Sequence, residues 1–176
     1  MMRLTTTLCA AVALLSMAFL PVQAQQADVG FTIPTQEEVT AMQENRRSHA
    51  LGDRLARAVV QAFEHYEASD IQQAIVVLEE LSPRSDYERA YIGRFLGTMY
   101  ASLEDEEAQP EKALELLREA VAYDILSYGD QKQSLQLLGN LQIQEEQFED
   151  AIETFKRYLQ FAGEWEPEIL FRINYF

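Results

Sequence analysis

The sequence predicts an all-α fold, built as antiparallel helix–turn–helix repeats, about three of them followed by an incomplete fourth. Two observations carry this expectation. Apolar residues recur at i, i+3, i+4 and i+7 through most of residues 53–176, the period of a helix with one buried face. Phe148, Ala151, Ile152, Phe155 and Leu159 show it most clearly. The pattern also repeats. Leu96-Gly97 returns as Leu138-Gly139, Lys112-Ala113-Leu114 returns as Asp150-Ala151-Ile152, and the small anchors Ala74, Ala113 and Ala151 lie 39 and 38 residues apart. One such pair cannot bury its own apolar face, so copies must stack. Close packing of two helices needs small side chains at the crossing, and Gly139 with Ala151 supplies them in the third pair, flanked by Phe148 and Phe155.

The elements follow in order. Residues 1–24 read as a secretory signal peptide: Arg3 gives a positive start, residues 8–20 are apolar, and Pro21-Val22-Gln23-Ala24 ends in small residues, placing the cut after Ala24. The apolar run is short of the roughly 20 residues that a membrane span needs. Export to the periplasm is expected if the source is a Gram-negative bacterium. Cys9 is the only cysteine and leaves with this segment, so the mature chain has no disulfide or thiol chemistry. Loss of Arg3 takes the net charge from -15 to -16.

Residues 25–52 form a polar leader. Within it Thr35 and Glu38 make a capping box for a short helix over residues 36–48. Its apolar residues are Val39, Ala41 and Met42, which predicts weak packing or a lid. Asp53 is expected to cap the next helix. Residues 53–176 form the repeat domain. The first pair sets Leu55, Ala58, Val59, Ala62, Phe63 and Tyr66 against Ile71, Ala74, Ile75, Leu78 and Leu81, and Ser82-Pro83 stops it. Phe63 and Tyr66 are assigned to the core. The second pair spans residues 86–103 and 110–123, with Pro110 at a helix start where its missing amide costs nothing. Leu96, Tyr100, Ala113, Leu117 and Ala120 are its expected core, and residues 104–109 are an acidic extension of its turn. The third pair begins near Asp130, after a Ser127-Tyr128-Gly129 turn, and closes near Phe161, before Gly163. Residues 166–176 look like the first helix of a fourth pair, leaving Ile169, Leu170, Ile173 and Phe176 partly uncovered. This favours a fragment of a longer repeat protein, or cover by a partner or second copy.

Composition and motifs narrow the chemistry. A net charge of -15 and a pI near 4.4 disfavour nucleic acid, whose phosphates need clustered Lys and Arg. The charge fits a solvated acidic surface or a basic protein partner. There is no phosphate-binding glycine loop, zinc-type cluster, HExxH or GxSxG. His65 beside Glu64 and Glu67 reads as a solvated helix face. Residues 104–107 lack the alternating ligands and glycine of a calcium loop. The sequence therefore predicts no enzyme, catalytic residue, metal or cofactor.

The spacing of Ala74, Ala113 and Ala151, with Leu96-Gly97 and Leu138-Gly139, resembles the tetratricopeptide repeat family over residues 55–176. The family period is about 34 residues, so these repeats are longer. The resemblance implies an α-solenoid whose groove, lined by the first helix of each pair, binds a partner segment. Candidates are first-helix residues facing away from the pair's own core: Tyr91, Arg94, Thr98 and Ser102 in the second repeat, and Gln133, Gln136, Asn140 and Ile143 in the third. Amides and hydroxyls there suit a peptide backbone; a plain solvated face is the alternative.

A narrower resemblance rests on the signal peptide, the first helix RAVVQAFEHYE, the run DYERAYIGRFLG from Asp86, and PEILFRI from Pro167. These are similar to exported tetratricopeptide proteins encoded beside TonB, ExbB and ExbD in marine gammaproteobacteria. That resemblance implies an accessory role in energised uptake of iron complexes, with TonB-system proteins as partners, and a longer parent chain. Alternatives are a cell-envelope assembly or lipoprotein-handling factor, and the non-catalytic repeat part of a longer envelope enzyme.

Overall fold

The computed structural model of the chain describes residues 31–46, 49–163 and 166–175. The expected signal peptide, Cys9, the cleavage point after Ala24 and Phe176 lie outside the described residues. The described residues form helices α1 (Gln36–Asn45), α2 (Asp53–Glu67), α3 (Ile71–Glu79), α4 (Asp86–Ala101), α5 (Pro110–Ala122), α6 (Tyr128–Gln144), α7 (Phe148–Ala162) and α8 (Pro167–Tyr175). There is no strand among them, so the all-α class holds.

Local chemistry explains most of the boundaries. α1 opens on the predicted capping box: Thr35 Oγ1 accepts from the Glu38 amide, and Glu38 accepts from the Thr35 amide at 2.8 Å. It stops at Asn45, short of residue 48, because Arg46 turns away to pair with Asp124 at 2.7 Å and lies over the Phe161 ring. Asp53 does not cap α2. Gly52 is the N-cap, and Asp53 is the first helical residue, where its charge meets the positive end of the helix dipole. α3 ends at Glu79, before Ser82-Pro83. There the Leu81 amide bonds back to Leu78, tightening the final turn ahead of a residue that Pro83 biases away from helix. Pro110 stands in the first turn of α5, as predicted. α6 starts earlier than expected: Ser127 accepts from the Asp130 amide at 3.2 Å, so Tyr128 and Gly129 belong to the helix and not to a turn.

The pairs run antiparallel. Gly93 faces Leu116 and Ala120, whereas Gly97, one turn later, faces Ala113 and Leu117, so α5 descends as α4 rises. Tyr128, at the start of α6, donates to the carbonyl of Ala162, at the end of α7. The crossings are close. A Cβ on Gly97 would stand 2.7 Å from Leu117, and one on Gly139 would stand 2.8 Å from the Phe155 ring. Gly139 therefore packs on Phe155 itself, while Ala151 is buried one turn away on α7.

Leu96, Tyr100, Ala113, Leu117 and Ala120 are all buried, as expected. Two other expectations are corrected. Phe63 is 47% exposed and not core. Leu55, Val59 and Ala62 fill the buried stripe of α2, and Phe63 lies about 100° round the helix from Ala62, on the side of exposed Val60. Ile169 and Leu170 are buried, because α8 packs on α7. The exposed aromatics of α8 are Phe171 and Tyr175, stacked with ring centroids 5.3 Å apart.

Polar bridges tie each pair to the next. Among α2, α4, α6 and α8, Tyr66 meets Ser102, Arg94 donates to Asp130 at 2.6 Å, and Arg172 donates to Asn140 at 2.5 Å. Their sequence separations are 36, 36 and 32 residues. Among α3, α5 and α7, Lys112 pairs with Glu79, and Arg118 with Asp150, both at 3.1 Å. The helices therefore form two layers, with the first helices of the pairs side by side.

Candidate functional site

The layer of α2, α4, α6 and α8 carries every candidate residue, and the structure sorts them into structural and free groups. On α4, Tyr91 is half-buried in an aromatic row, with ring centroids 5.9 Å from Tyr87 and 5.2 Å from Phe95. Burial pushes its hydroxyl above the ordinary value of 10.0, against the pull of Arg94. Arg94 lies over Phe95 and is only 16% exposed, because its guanidinium is held by Asp130. Thr98 Oγ1 donates to the Arg94 carbonyl, and Ser102 Oγ donates to the Thr98 carbonyl. These hydroxyls close on their own helix, a common fate of Ser and Thr inside helices. On α6, Gln133 and Gln136 are exposed. Asn140 accepts from Arg172, and Ile143 packs against the core. Of the eight candidates, then, the two glutamines present their side chains to solvent.

The concavity in this layer lies between α2 and α4. Phe63, Tyr66, Arg94, Phe95, Thr98 and Met99 line a mostly apolar cavity of about 240 Å³. Phe63 stands at its mouth with nearly half its surface free. Periodicity assigns Phe63 and Tyr66 to the core and gives Phe95 no role. The available signal was the i, i+4 pair Tyr91 and Phe95, beside a core stripe already filled by Ile92, Leu96, Met99 and Tyr100.

Further along α4 lies a wider, open cleft of about 1170 Å³ between the α2–α3 turn and the loop after α4. The two are adjacent at Tyr66, which lines the cavity, and Ser102, which lines the cleft, with hydroxyl oxygens 3.4 Å apart. Asp70 and the exposed carboxylates of residues 104–107 line the cleft. His65 lies 3.7 Å from Asp70; among the described residues, no cation pairs with residues 104–107. Among the described residues, no group of three His, Cys, Asp or Glu side chains is placed to hold a metal ion, and no helix is long and apolar enough to cross a membrane.

Compared with protein families, with curated proteins and with solved structures, the chain finds no match.

Proposed function

We propose that this chain is an exported protein-binding scaffold of tetratricopeptide type, which docks a segment of a partner protein against the α2–α4–α6 wall. The observation that carries the reading is the apolar cavity at Phe63 and Phe95, in the same helix layer as the exposed amides of Gln133 and Gln136. An apolar anchor site beside unpaired hydrogen-bonding groups suits a peptide. The repeat assignment is supported by matched crossings, Gly97 on Leu117 and Gly139 on Phe155. Bridges spaced 36, 36 and 32 residues apart also bracket the family period of about 34. The role is binding and not catalysis. The sequence resemblance supplies the partner class, the TonB, ExbB and ExbD components of energised uptake, and the signal-peptide reading of residues 1–24 supports export to the periplasm of a Gram-negative bacterium.

The test is affinity capture from an envelope extract. Arg94 and Asn140 are unsuitable to probe it, since changing them breaks bridges of the fold. Gln133→Arg with Gln136→Arg changes exposed side chains only. TonB-system proteins recovered by the wild type and lost on this folded variant support the reading. Equal recovery on both rules out this wall.

A further inference from the structure

We infer that the α2–α4 site takes an extended, cationic segment of a partner protein: one large aliphatic side chain in the cavity, followed by lysines or arginines in the acidic cleft. The inference rests on the protein-docking reading above and adds the chemistry of the occupant.

Three features of the site converge on it. The cavity of about 240 Å³ is large enough for one or two aliphatic side chains, and exposed Phe63 and half-buried Phe95 supply apolar walls. An anchor there removes Phe63 from water, and apolar burial of this kind is what makes one or two residues dominate an interface. Next, the cavity and the cleft are neighbours: Tyr66 of the cavity and Ser102 of the cleft have hydroxyl oxygens 3.4 Å apart. A ligand lying along α4 can therefore reach both. Finally, the cleft is acidic, its residue 104–107 carboxylates have no cationic partner among the described residues, and the chain carries a net charge of -15. Carboxylates this exposed gain little from one cation, but several of them steer a cationic segment and fix its direction. An anionic or neutral segment would meet repulsion or no complement.

Geometry sets the spacing. From Thr98 to the start of the acidic loop is four to six residues, or roughly 6–9 Å along a helix. An extended peptide covers that in two or three residues, at about 3.3 Å each. The basic residues therefore follow the anchor after about two positions.

The probe is a fluorescein-labelled dodecapeptide with one leucine, two glycines and four lysines in that order, completed with serine and glycine. It is titrated by anisotropy into protein made from the full 176-residue chain. Saturable binding is expected, weakening as salt rises. Leucine→serine in the peptide, Phe63→Ser in the protein, and Glu106→Lys with Glu107→Lys should each weaken it about tenfold or more. Phe63 and both glutamates are exposed, so circular dichroism should report an unchanged fold. Binding that survives leucine→serine is charge attraction alone and overturns the inference, as does binding indifferent to the glutamate reversals, or no binding at all. Self-association abolished by Phe63→Ser, seen by sedimentation, would make the occupant a second copy and overturn it as well. A partner lost on the Gln133, Gln136 variant but retained on the glutamate reversals leaves the docking reading standing and removes the cationic occupant.

Discussion

Gly163 gives up its side-chain space to Val39. Its φ is +65°, and a Cβ there would fall inside the volume of Val39 Cγ2. This contact seats α1 on the end of α7, and Arg46 adds a second attachment through Asp124 and Phe161. The segment that the sequence marked as weakly packed or a lid is held by one buried valine and one guanidinium.

Gly163→Ala combines a left-handed backbone cost of about 1 kcal/mol with that clash. Amide exchange across residues 36–45 should accelerate more than exchange in α6. In a double-mutant cycle, Val39→Ala should cost less in the Gly163→Ala background than in the wild type. Equal costs would show that the two residues do not communicate.

Gly97→Ala and Gly139→Ala should each destabilise by about 1–3 kcal/mol, because an added methyl overpacks the crossing. Leu117 and Phe155 are themselves buried and have no free space to retreat into. Urea unfolding measures the loss. Phe155→Leu should recover part of it in Gly139→Ala, although the same change destabilises the wild type.

Glu79 sets an acid sensitivity. The Tyr100 hydroxyl bonds to its carboxylate at 2.6 Å and, with a smaller contribution from Lys112, holds it below the ordinary value of 4.5. A depressed folded-state value means that this stabilisation is complete above about 4.5 and is lost as pH falls through the folded-state value. Glu79→Gln should therefore flatten the fall of the melting temperature on the acid side and lower it slightly at neutral pH. An unchanged acid limb would dismiss the pairing.

Ser69 and Glu146 close the α2–α3 and α6–α7 turns with φ of 63° and 58°. In each turn, the next amide bonds back across five residues, Asp70 to His65 and Gln147 to Gln142, the helix-ending arrangement that glycine favours. Glu146→Gly and Ser69→Gly should each raise stability by up to about 1 kcal/mol, since glycine occupies this backbone region without the Cβ penalty. Thermal melts of the two single variants and the double decide it, with additivity expected of separate turns.

The sequence by itself determined the helices and their pairing. The period of Phe148, Ala151, Ile152 and Phe155 reports which face is buried, and start signals such as the Thr35 cap and Pro110 in a first turn act within a few residues. Those forces are local, so they are legible along the chain. The fate of the wall was decided only in three dimensions. Arg94, Thr98, Ser102 and Asn140 looked free because the groups that engage them lie on other helices or on backbone carbonyls. Phe63 looked buried because periodicity gives the angle of a side chain around its helix but not whether a neighbouring helix reaches it. Whether a face is covered depends on distances between elements far apart in sequence, and tertiary packing alone sets those.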